Sequence, residues 1–331
     1  MRILITGATG FLGNNLVRAL VADGHEVVVT MRQTSDRKPL DGLPVEICNV
    51  DFDNPSDIAM ALTDVEVVVH AAAVIQIGWT KLEESRKFNV EVTSQIAQAA
   101  RRKNCRMIYV STVDALGSAT EHDIGDEEKL DPPQTPCSYV VSKRESESAF
   151  LLEVVKGLDG LIVSPGFMVG PYDWKPSSGA MMMAVATTFT PFAPAGGCSV
   201  ADVRDVAEGI TSAIEHGQTG HRYILAGQNM SYLELWTMMA QVCGSKAPAK
   251  QLPDWLARVA GRTGDFWTKL TGNEPQVNSA AAEMGQVFHY YSSEKAKLEL
   301  GYRIGSVEDA LHDAWDWFLA NGYVPSSKKR Q

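Results

Sequence analysis

The chain has 331 residues, 45% of them hydrophobic and 21% charged, which is the composition of a globular protein large enough for one big domain or two. Its formal net charge of −10 argues against a nucleic-acid partner and against attraction to anionic membranes. The five cysteines are scattered and include no C-x-x-C pair. We therefore expect neither a disulfide framework nor a zinc site, and a reducing, cytoplasmic location.

Short apolar runs alternate with segments of helical periodicity from residue 1 to about residue 165. The runs read RILIT, EVVVT, VEIC, VEVVVH, RMIYVS and GLIVS, and such runs are typical of strands buried on both faces. Alternating strands and helices predict an α/β fold with a Rossmann-type doubly wound parallel sheet. The pattern of residues 166–325 predicts a smaller, mostly helical C-terminal substrate lobe, which can return a strand and a helix to the main sheet. Residues 326–331 predict a charged tail.

The first predicted strand leads directly into TGATGFLG at 6–13, which opens an amphipathic helix. Its three glycines permit a tight turn, bring backbone N–H groups close to a pyrophosphate and let the helix pack on the strand, while the helix dipole favours the anion. The motif is the dinucleotide fingerprint with one extra residue between the first two glycines. It predicts that residues 1–165 form an NAD(P)-binding domain. The loop residues expected to contact the cofactor are Gly7, Thr9, Gly10, Phe11, Leu12 and Gly13.

The second predicted strand ends in VVVTMRQTSDRKP, and this end indicates which coenzyme is bound. NAD sites normally carry a carboxylate here, which accepts hydrogen bonds from the ribose hydroxyls and repels a 2′-phosphate. Met31 occupies that position, and Arg32, Arg37 and Lys38 follow it. Arginine suits a phosphate because its planar fork donates paired hydrogen bonds. We therefore expect NADP (NADPH) in preference to NAD, with Arg32 and Lys38 at the phosphate.

Two further strand ends predict the path of the cofactor. Asp51 and Phe52 follow the third strand, where the adenine would lie. HAAAV ends the fourth strand, and its small side chains leave room for the cofactor, whereas His70 is expected to be packed in the sheet. Asn89, in the next helix, either anchors the backbone of the active site or is a helix residue with a satisfied amide. The small residues expected to contact the cofactor are Ala71, Ala72 and Ala73.

The fifth strand and the following helix carry the residue types needed for proton transfer. Ser111 and Thr112 end the strand, and ligands of open parallel sheets bind at the carboxyl ends of strands. Tyr139 and Lys143 lie four residues apart and so share one face of a helix, where an ammonium lowers the pKa of a phenol. A tyrosine of this kind can exchange a proton near neutral pH. These segments predict a site where hydroxyl, phenol and ammonium converge.

The order TGxxGxxG, HxAA, FNV, YVST, YxxxK and PGFMVGP resembles the extended short-chain dehydrogenase/reductase family, also called the NAD-dependent epimerase/dehydratase family, over essentially the whole chain. Later segments, among them VADVRDVAEGI and DAWDWFLANGYV, resemble its dihydroflavonol 4-reductase-like or hopanoid-associated sugar epimerase-like branch. The resemblance implies that Tyr139 is the acid/base and that Lys143 holds the nicotinamide ribose and lowers the tyrosine pKa. It further implies that Thr112 hydrogen-bonds the reacting oxygen.

The same resemblance extends to other parts of the chain. Ser111 is the alternative to Thr112, and Pro165 and Gly166 are implied to pass beneath the nicotinamide. The helical segments 88–103 and 138–156 resemble the faces that form a four-helix homodimer interface in many relatives. The scattered histidines, among them His289, have no metal-ligand spacing and are expected to pack or to lie on the surface, so no metal site is predicted.

We expect an NADP-dependent oxidoreductase that interconverts a small-molecule ketone or aldehyde and the alcohol by hydride transfer. The alternatives are an NAD(P)-dependent nucleotide-sugar epimerase or dehydratase and, third, a non-catalytic NADP-sensing protein, against which the intact Tyr139, Lys143 and Thr112 argue. Segments 74–82 and 171–192 are apolar and aromatic with few cations, which favours a flat or lipid-like carbonyl compound over a nucleotide diphosphate. The loop aromatics expected at the substrate are Trp79, Trp174 and Phe192.

Overall fold

The structure, a computed structural model, describes residues 1–117, 119–133 and 135–324. Its strands are β1 (Arg2–Thr6), β2 (Glu26–Met31), β3 (Val45–Asn49), β4 (Val67–His70), β5 (Arg106–Val110), β6 (Gly160–Pro165), β7 (Phe167–Val169), β8 (Phe192–Ala193), β9 (Gly197–Asp202), β10 (Arg222–Leu225), β11 (Gln228–Ser231), β12 (Lys250–Gln251) and β13 (Phe288–His289). Its helices are α1 (Phe11–Ala22), α2 (Pro55–Ala61), α3 (Leu82–Arg86), α4 (Thr93–Lys103), α5 (Ser138–Val155), α6 (Ser178–Thr187), α7 (Val203–His216), α8 (Tyr232–Cys243), α9 (Asp254–Thr271), α10 (Ser279–Met284), α11 (Glu294–Leu300) and α12 (Val307–Ala320). A π-helical turn, Lys87–Val92, joins α3 to α4.

The main sheet has seven parallel strands in the order β10-β6-β5-β4-β1-β2-β3. The strand order reverses between β1 and β4, and ligands of such sheets bind at this reversal, outside the carboxyl ends of the strands. The arrangement confirms the predicted doubly wound, Rossmann-type parallel sheet. The six apolar runs read from the sequence form β1 to β6.

Successive side chains of each strand of the main sheet enter two different hydrophobic clusters, one on each face. In β1, Ile3 and Ile5 pack with α1 and α7, whereas Leu4 packs with α4 and α5. In β2, Val28 likewise faces the side opposite to Val29. Because both faces are covered by helices, the central positions of β1 and β2 are apolar. Each fully buried apolar side chain stabilises the fold by about 1.5–3 kcal/mol.

A further hydrophobic cluster forms the smaller lobe. Its four-stranded sheet places β9 between β11 and β13, and β7 also pairs with β9. Helices α6, α8 and α12 pack around β9, with Trp315 and Phe318 of α12 fully buried. A short parallel pair, β8 with β12, leads into α9.

The chain crosses between the two parts more than once. β10 lies beside β6 in the main sheet, and α7 and α11 contribute to the cluster on one face of that sheet. The predicted division at residue 165 stays a prediction, and the predicted tail at 326–331 lies outside the described residues. Within the ranges that the structure describes, no helix is both long and apolar enough to cross a lipid bilayer.

Candidate active site

The glycine-rich loop turns sharply at the carboxyl end of β1 and leads into α1. Gly7 has a φ of +77°, and a Cβ there would lie 2.7 Å from the backbone nitrogen of Ala72. A Cβ at Gly13 would collide with the carbonyl of Gly7. Gly10 is the N-cap of α1, and no side chain of the described residues caps this end. The first N–H groups of α1 are therefore available to an anion, and the loop fits the pyrophosphate of a dinucleotide.

A cavity of about 650 Å³ opens at the carboxyl ends of β2 and β3. Phe52 and Phe88 line it with their ring centroids 6.0 Å apart, and the Arg32 guanidinium carbon lies 5.3 Å from the Phe88 centroid. Asp51 also lines the cavity, and its side chain accepts a hydrogen bond from the backbone N–H of Asp53 at 3.0 Å. Two aromatic rings and a guanidinium suit a flat base and a phosphate.

The three cations predicted at the coenzyme phosphate have different surroundings. Arg32 lines the cavity, whereas the Lys38 ammonium lies 5.3 Å from the ring centroid of Trp174. Arg37 is exposed at the start of a short 3₁₀ turn. Met31, at the position where NAD sites carry a carboxylate, is buried. Arg32 is thus the one of the three cations that lines the cavity among the described residues, and the predicted place of Lys38 at the phosphate stays a prediction.

Asn89 holds the segment that follows β4. Its amide oxygen accepts a hydrogen bond from the backbone N–H of Val74 at 2.8 Å, and its amide nitrogen donates to the Val74 carbonyl at 2.9 Å and to Ser142 Oγ at 3.0 Å. Asn89 lies in the π-helical turn, a feature that is frequent at functional sites. The amide therefore fixes residues 71–74, which include the predicted alanines, against α5.

His70 is a packed, neutral residue at the end of β4. The Thr93 hydroxyl donates to the Asn89 carbonyl at 2.5 Å and so accepts from His70 Nε2 at 3.1 Å. His70 Nδ1 then accepts from the Thr6 hydroxyl at 2.7 Å. Burial, and secondarily the charge of Lys143, lower the pKa of His70 to about 3. These contacts confirm the prediction that His70 is a packing residue.

Lys143 is buried beneath one face of α5, with only 2% of its surface exposed. Its Nζ donates to the Val110 carbonyl at 2.8 Å and lies 4.4 Å from the ring centroid of Tyr109. Burial lowers the pKa of Lys143 to about 7, and the charge of Glu147, one turn along the helix, opposes this fall. The amine is thus held at the last residue of β5, next to the hydroxyls that end the strand.

Tyr139 faces the same point from the first turn of α5. Tyr139 packs against a small hydrophobic cluster that includes Ala280 of α10. Burial, followed by the charge of Asp114, raises the pKa of Tyr139, and a hydrogen bond with Thr112 opposes the rise. The prediction of a lowered tyrosine pKa is therefore wrong for this structure. Helical spacing showed the neighbouring lysine but not the loss of solvent around the phenol.

Ser111 and Thr112 point to different sides of the strand end, as successive residues of extended backbone do. Ser111 donates to Glu147, whose carboxylate is paired with Arg222 through hydrogen bonds of 2.8 and 2.7 Å. Thr112 faces Tyr139 and accepts from the backbone N–H of Asp114 at 3.2 Å. The geometry therefore places Thr112, the first choice from the sequence, at the candidate site and turns Ser111 towards a buried ion pair.

Asp114 and His289 form an ion pair behind Thr112 that the sequence did not predict. The Thr112 hydroxyl donates to Asp114 Oδ2 at 3.1 Å, and Asp114 Oδ1 lies 3.0 Å from His289 Nδ1. His289 Nε2 lies 3.3 Å from the Met284 carbonyl, so both ring nitrogens have acceptors. Burial tends to lower the pKa of His289, but the hydrogen bond and charge of Asp114 outweigh it and raise the pKa. The sequence did not show this partner of His289, because Asp114 lies far away along the chain.

The pKa of Asp114 shifts in the opposite direction from that of its partner. Burial tends to raise the pKa of Asp114, but the hydrogen bond and charge of His289 lower it, with help from Thr112. The two shifts both favour the charged forms of the pair, an aspartate and an imidazolium. Asp114 stands two residues after Thr112, which is a signal that could have been read from the sequence, whereas nothing near Tyr139 in the sequence points to His289.

The three aromatic residues predicted at the substrate have different surroundings. Trp79 is partly exposed, and its Nε1 donates to Ser279 Oγ at 2.7 Å, so it lies against α10 and near Tyr139. Trp174 packs edge-on against Trp317, 5.0 Å between centroids, in an aromatic cluster with α12. Phe192 lies on β8, half-exposed. Of the three, Trp79 is the one that the structure places next to the candidate site.

Pro165 and Gly166 lie where the main sheet meets the smaller one. Pro165 ends β6, and the backbone N–H of Gly166 donates to the Leu225 carbonyl at 3.1 Å. A Cβ at Gly166 would lie 2.6 Å from the Ser199 carbonyl oxygen, so close packing of the two sheets requires glycine here. Their predicted place beneath a nicotinamide stays a prediction.

Comparison with known proteins gives matches over nearly the whole chain. Residues 3–226 match the model of the NAD dependent epimerase/dehydratase family. A putative dihydroflavonol 4-reductase from Synechocystis sp. is 31% identical over 327 residues, 97% of this chain and 95% of that protein. Sterol demethylase protein B from Methylococcus capsulatus is 31% identical over 332 residues, 98% and 100% of the two chains. The structure of a nucleoside-diphosphate-sugar epimerase from Pseudomonas aeruginosa is similar with a TM-score of 0.82 at 25% identity, over 98% of this chain and 99% of that one.

Proposed function

The chain belongs to the NAD dependent epimerase/dehydratase family, and we propose that it is an NADP-dependent reductase acting on the carbonyl group of a flat, apolar substrate. The observation that carries the proposal is the convergence of Thr112, Tyr139 and Lys143 at the carboxyl end of β5. Two relatives at 31% identity are named for a dihydroflavonol and a sterol, both ring compounds. The apolar, aromatic segments on either side of the site agree with a substrate of that kind.

Tyr139 is the proton donor in this proposal. When bound, the nicotinamide supplies the hydride that adds to the carbonyl carbon. Tyr139 gives its phenolic proton to the carbonyl oxygen, which becomes a hydroxyl, and regains a proton from solvent before the next turnover. Because burial raises the pKa of Tyr139, the residue is a neutral phenol at neutral pH, which is the form that can donate. The environment of Tyr139 therefore supports the reductive direction.

Thr112 is the second donor to the substrate oxygen. The backbone N–H of Asp114 fixes the Thr112 oxygen, and the hydroxyl proton that rests on the Asp114 carboxylate can turn towards a carbonyl oxygen. His289 keeps the Asp114 carboxylate oriented from its other side. A donor that is already positioned stabilises the charge that develops on oxygen during hydride addition, because little reorganisation is then needed.

Lys143 lies at the carboxyl end of β5, next to the residues proposed to donate to the substrate. The Val110 carbonyl holds its amine at the strand end, and the remaining N–H bonds are free to donate to a ribose hydroxyl or to bring positive charge near the phenol. Asn89 fixes residues 71–74 against the same helix, so that the cofactor channel and α5 are joined. These contacts support a site that is formed before substrate binds.

Coenzyme preference rests on Arg32 in this proposal. Arg32 lines the cavity at the end of β2, and Met31 replaces the carboxylate that NAD sites normally carry. A guanidinium donates paired hydrogen bonds to a 2′-phosphate, whereas no carboxylate at position 31 is present to bind the two ribose hydroxyls. NADPH is therefore the proposed reductant.

A nucleotide-sugar epimerase is the second candidate, favoured by the likeness to the epimerase from Pseudomonas aeruginosa. Such an enzyme must bind a diphosphate, which requires cations at the substrate cleft. Segments 74–82 and 171–192 contain one lysine each, Lys81 and Lys175, among apolar and aromatic residues. This composition supports an uncharged substrate.

A homodimer through α4 and α5 is also proposed. These helices pack side by side, and the outer surface of α5 exposes Leu152 and Val155. Exposed apolar side chains at the end of a helix that packs on a neighbour are suited to a helical interface between two copies.

The test of the proposed function is a substrate panel of steroid ketones, dihydroflavonols, UDP-sugars and dTDP-sugars, followed by NADPH absorbance and by product analysis. The proposal predicts consumption of NADPH with one or more of the ring ketones and no interconversion of the sugars. Epimerisation of a nucleotide sugar without net NADPH consumption would overturn it and establish the second candidate.

A further inference from the structure

Helix α9 carries a row of large apolar side chains that face solvent. Trp255, Val259, Phe266 and Leu270 fall within an arc of about 60° at 100° per residue, and Trp267 extends the row on one side. The five side chains are between 51% and 67% exposed. We refer to them as the aromatic face. Exposed apolar patches of this kind mark surfaces for a partner or a membrane.

The opposite side of α9 is buried and fixes the rotation of the helix. Ala257, Gly261 and Gly264 are its buried residues, and they pack against α10 and the segment before it. A Cβ at Gly261 would lie 2.7 Å from the Cα of Ser279, and one at Gly264 would collide with the Val277 carbonyl. The helix therefore cannot turn its aromatic face inwards, because larger side chains do not fit on the buried side.

Three exposed cations border the aromatic face. Arg258, Arg262 and Lys269 lie within the next arc of about 60° of the helix. None of them forms an ion pair with a residue that the structure describes. Of the two acids of α9, Asp265 accepts a hydrogen bond from the backbone N–H of Ser279 at 3.0 Å, and Asp254 is exposed in the first turn. In a chain with a net charge of −10, this helix thus presents aromatic side chains beside unpaired positive charge.

The segments that lead into α9 have the same composition. Phe189 is exposed, and the Lys246 ammonium lies 4.8 Å from its ring centroid. Phe192 of β8 pairs in register with Lys250 of β12, both with exposed side chains. Aromatic rings beside lysines or arginines are typical of protein surfaces at the level of lipid headgroups.

The aromatic face lies on the outside of the elements that cover the candidate site. On the inside, Ala280 of α10 belongs to the small cluster against which Tyr139 packs, and Ser279 accepts a hydrogen bond from Trp79. α9 packs directly on α10. An apolar molecule that leaves a bilayer at α9 would therefore enter the protein beside α10, the helix next to Tyr139.

We propose that the aromatic face docks α9 on the surface of an anionic phospholipid bilayer. The helix lies in the plane of the interface, with its apolar side chains at the boundary of headgroups and acyl chains and its three cations on lipid phosphates. The argument for lipid as the occupant is charge complementarity, since an apolar row bordered by unpaired cations matches an apolar layer bordered by anions. The inference departs from the expectation of no membrane contact, which used the net charge of the whole chain. It does not depend on the reductase assignment.

The experiment is co-sedimentation of the full chain with vesicles of phosphatidylglycerol and phosphatidylcholine, and with vesicles of phosphatidylcholine alone. We expect binding to the anionic vesicles that weakens as salt rises, because part of the attraction is screened charge. The triple variant Phe266→Ser, Trp267→Ser, Leu270→Ser should bind about 100-fold more weakly or worse, since three apolar side chains leave the interface.

Two further variants make the result specific. Arg258→Glu with Arg262→Glu should abolish the preference for anionic vesicles. The matched control, Met60→Ser with Leu298→Ser, removes exposed apolar side chains from α2 and α11 and should bind as the wild type does. Unchanged far-ultraviolet circular dichroism and NADPH affinity in each variant show that the fold is intact.

The proposal is overturned if the wild type does not bind anionic vesicles, or if the triple variant binds them as well as the wild type does. A third outcome is that the wild type does not bind vesicles but is a dimer in sedimentation, and that the triple variant is a monomer. That result assigns the aromatic face to a second copy and also overturns the proposal. None of these outcomes bears on NADPH oxidation in solution, which tests the proposed function separately.

Discussion

The Nζ atom of Lys143 lies 2.8 Å from the carbonyl oxygen of Val110, and this hydrogen bond joins α5 to the end of β5. The contact is buried, and burial lowers the pKa of the lysine to about 7. It places an amine beneath the point where Thr112 and Tyr139 meet. It also makes the stability of the fold sensitive to the protonation of one side chain.

The first prediction follows from that shift. Between pH 7 and the ordinary lysine value of 10.5, the unfolded chain holds a proton on Lys143 that the folded chain has released. The contribution of Lys143 to the free energy of unfolding therefore rises with pH across this window. Lys143→Met, which cannot titrate, should lack this contribution. Urea unfolding at pH 7 and pH 9 should show a smaller pH-dependent gain in the variant, and equal gains in both proteins would contradict the buried, shifted amine.

The second prediction separates the two adjacent hydroxyls. Thr112→Val removes the hydroxyl but keeps the shape, and it should lower kcat by about 10²-fold because one donor to the substrate oxygen is lost. Thr112→Ser keeps the hydroxyl and should be tolerated. Ser111→Ala should act mainly on stability, since Ser111 donates to the buried Glu147. Loss of turnover in Ser111→Ala with normal turnover in Thr112→Val would reverse the two roles.

The third prediction concerns the ion pair behind Thr112. The raised pKa of His289 means that its positive charge is lost as pH rises through that value, and the restraint on Asp114 weakens with it. Activity should therefore decline on the alkaline side. His289→Gln keeps an N–H donor for Asp114 but cannot titrate, so its pH profile of kcat should lack this decline. The same alkaline decline in wild type and variant would show that His289 does not position Asp114.

The site could be predicted from the sequence where its geometry is local. Gly7, Gly10 and Gly13 follow a strand and open a helix, and Tyr139 and Lys143 share a helix face, so chain spacing alone brings each set together. The sheet was predictable for the same reason, since helices cover both of its faces and its strands therefore carry short apolar runs.

Features that depend on contacts between distant segments were not predictable. His289 reaches Asp114 only because β13 pairs with β9, and Trp174 packs on Trp317 of α12 although its loop indicated a substrate role. The pKa of Tyr139 was predicted in the wrong direction because desolvation depends on α10, a helix that joins the site from the far end of the chain.

The fourth prediction is coenzyme choice. NADPH should bind about 10- to 100-fold more tightly than NADH at low salt, because hydrogen bonds to a charged phosphate contribute about 1.5–3 kcal/mol, and the difference should shrink as salt rises. Met31→Asp with Arg32→Ser should reverse the preference. Lys38→Ser is the matched control and should change it little, since Lys38 lies over Trp174. Equal affinity of the wild type for the two coenzymes, measured by fluorescence titration, would rule out the assignment.

The most direct test of the central claim is the rate of NADPH oxidation by Tyr139→Phe in a single turnover with a ring ketone that the wild type reduces. The substitution removes only the phenolic oxygen, so fold and NADPH affinity should be unchanged while the rate falls by about 10²- to 10⁴-fold, the range for loss of a general acid. A rate within about threefold of the wild type would show that Tyr139 does not supply the proton, because loss of a general acid costs far more than that.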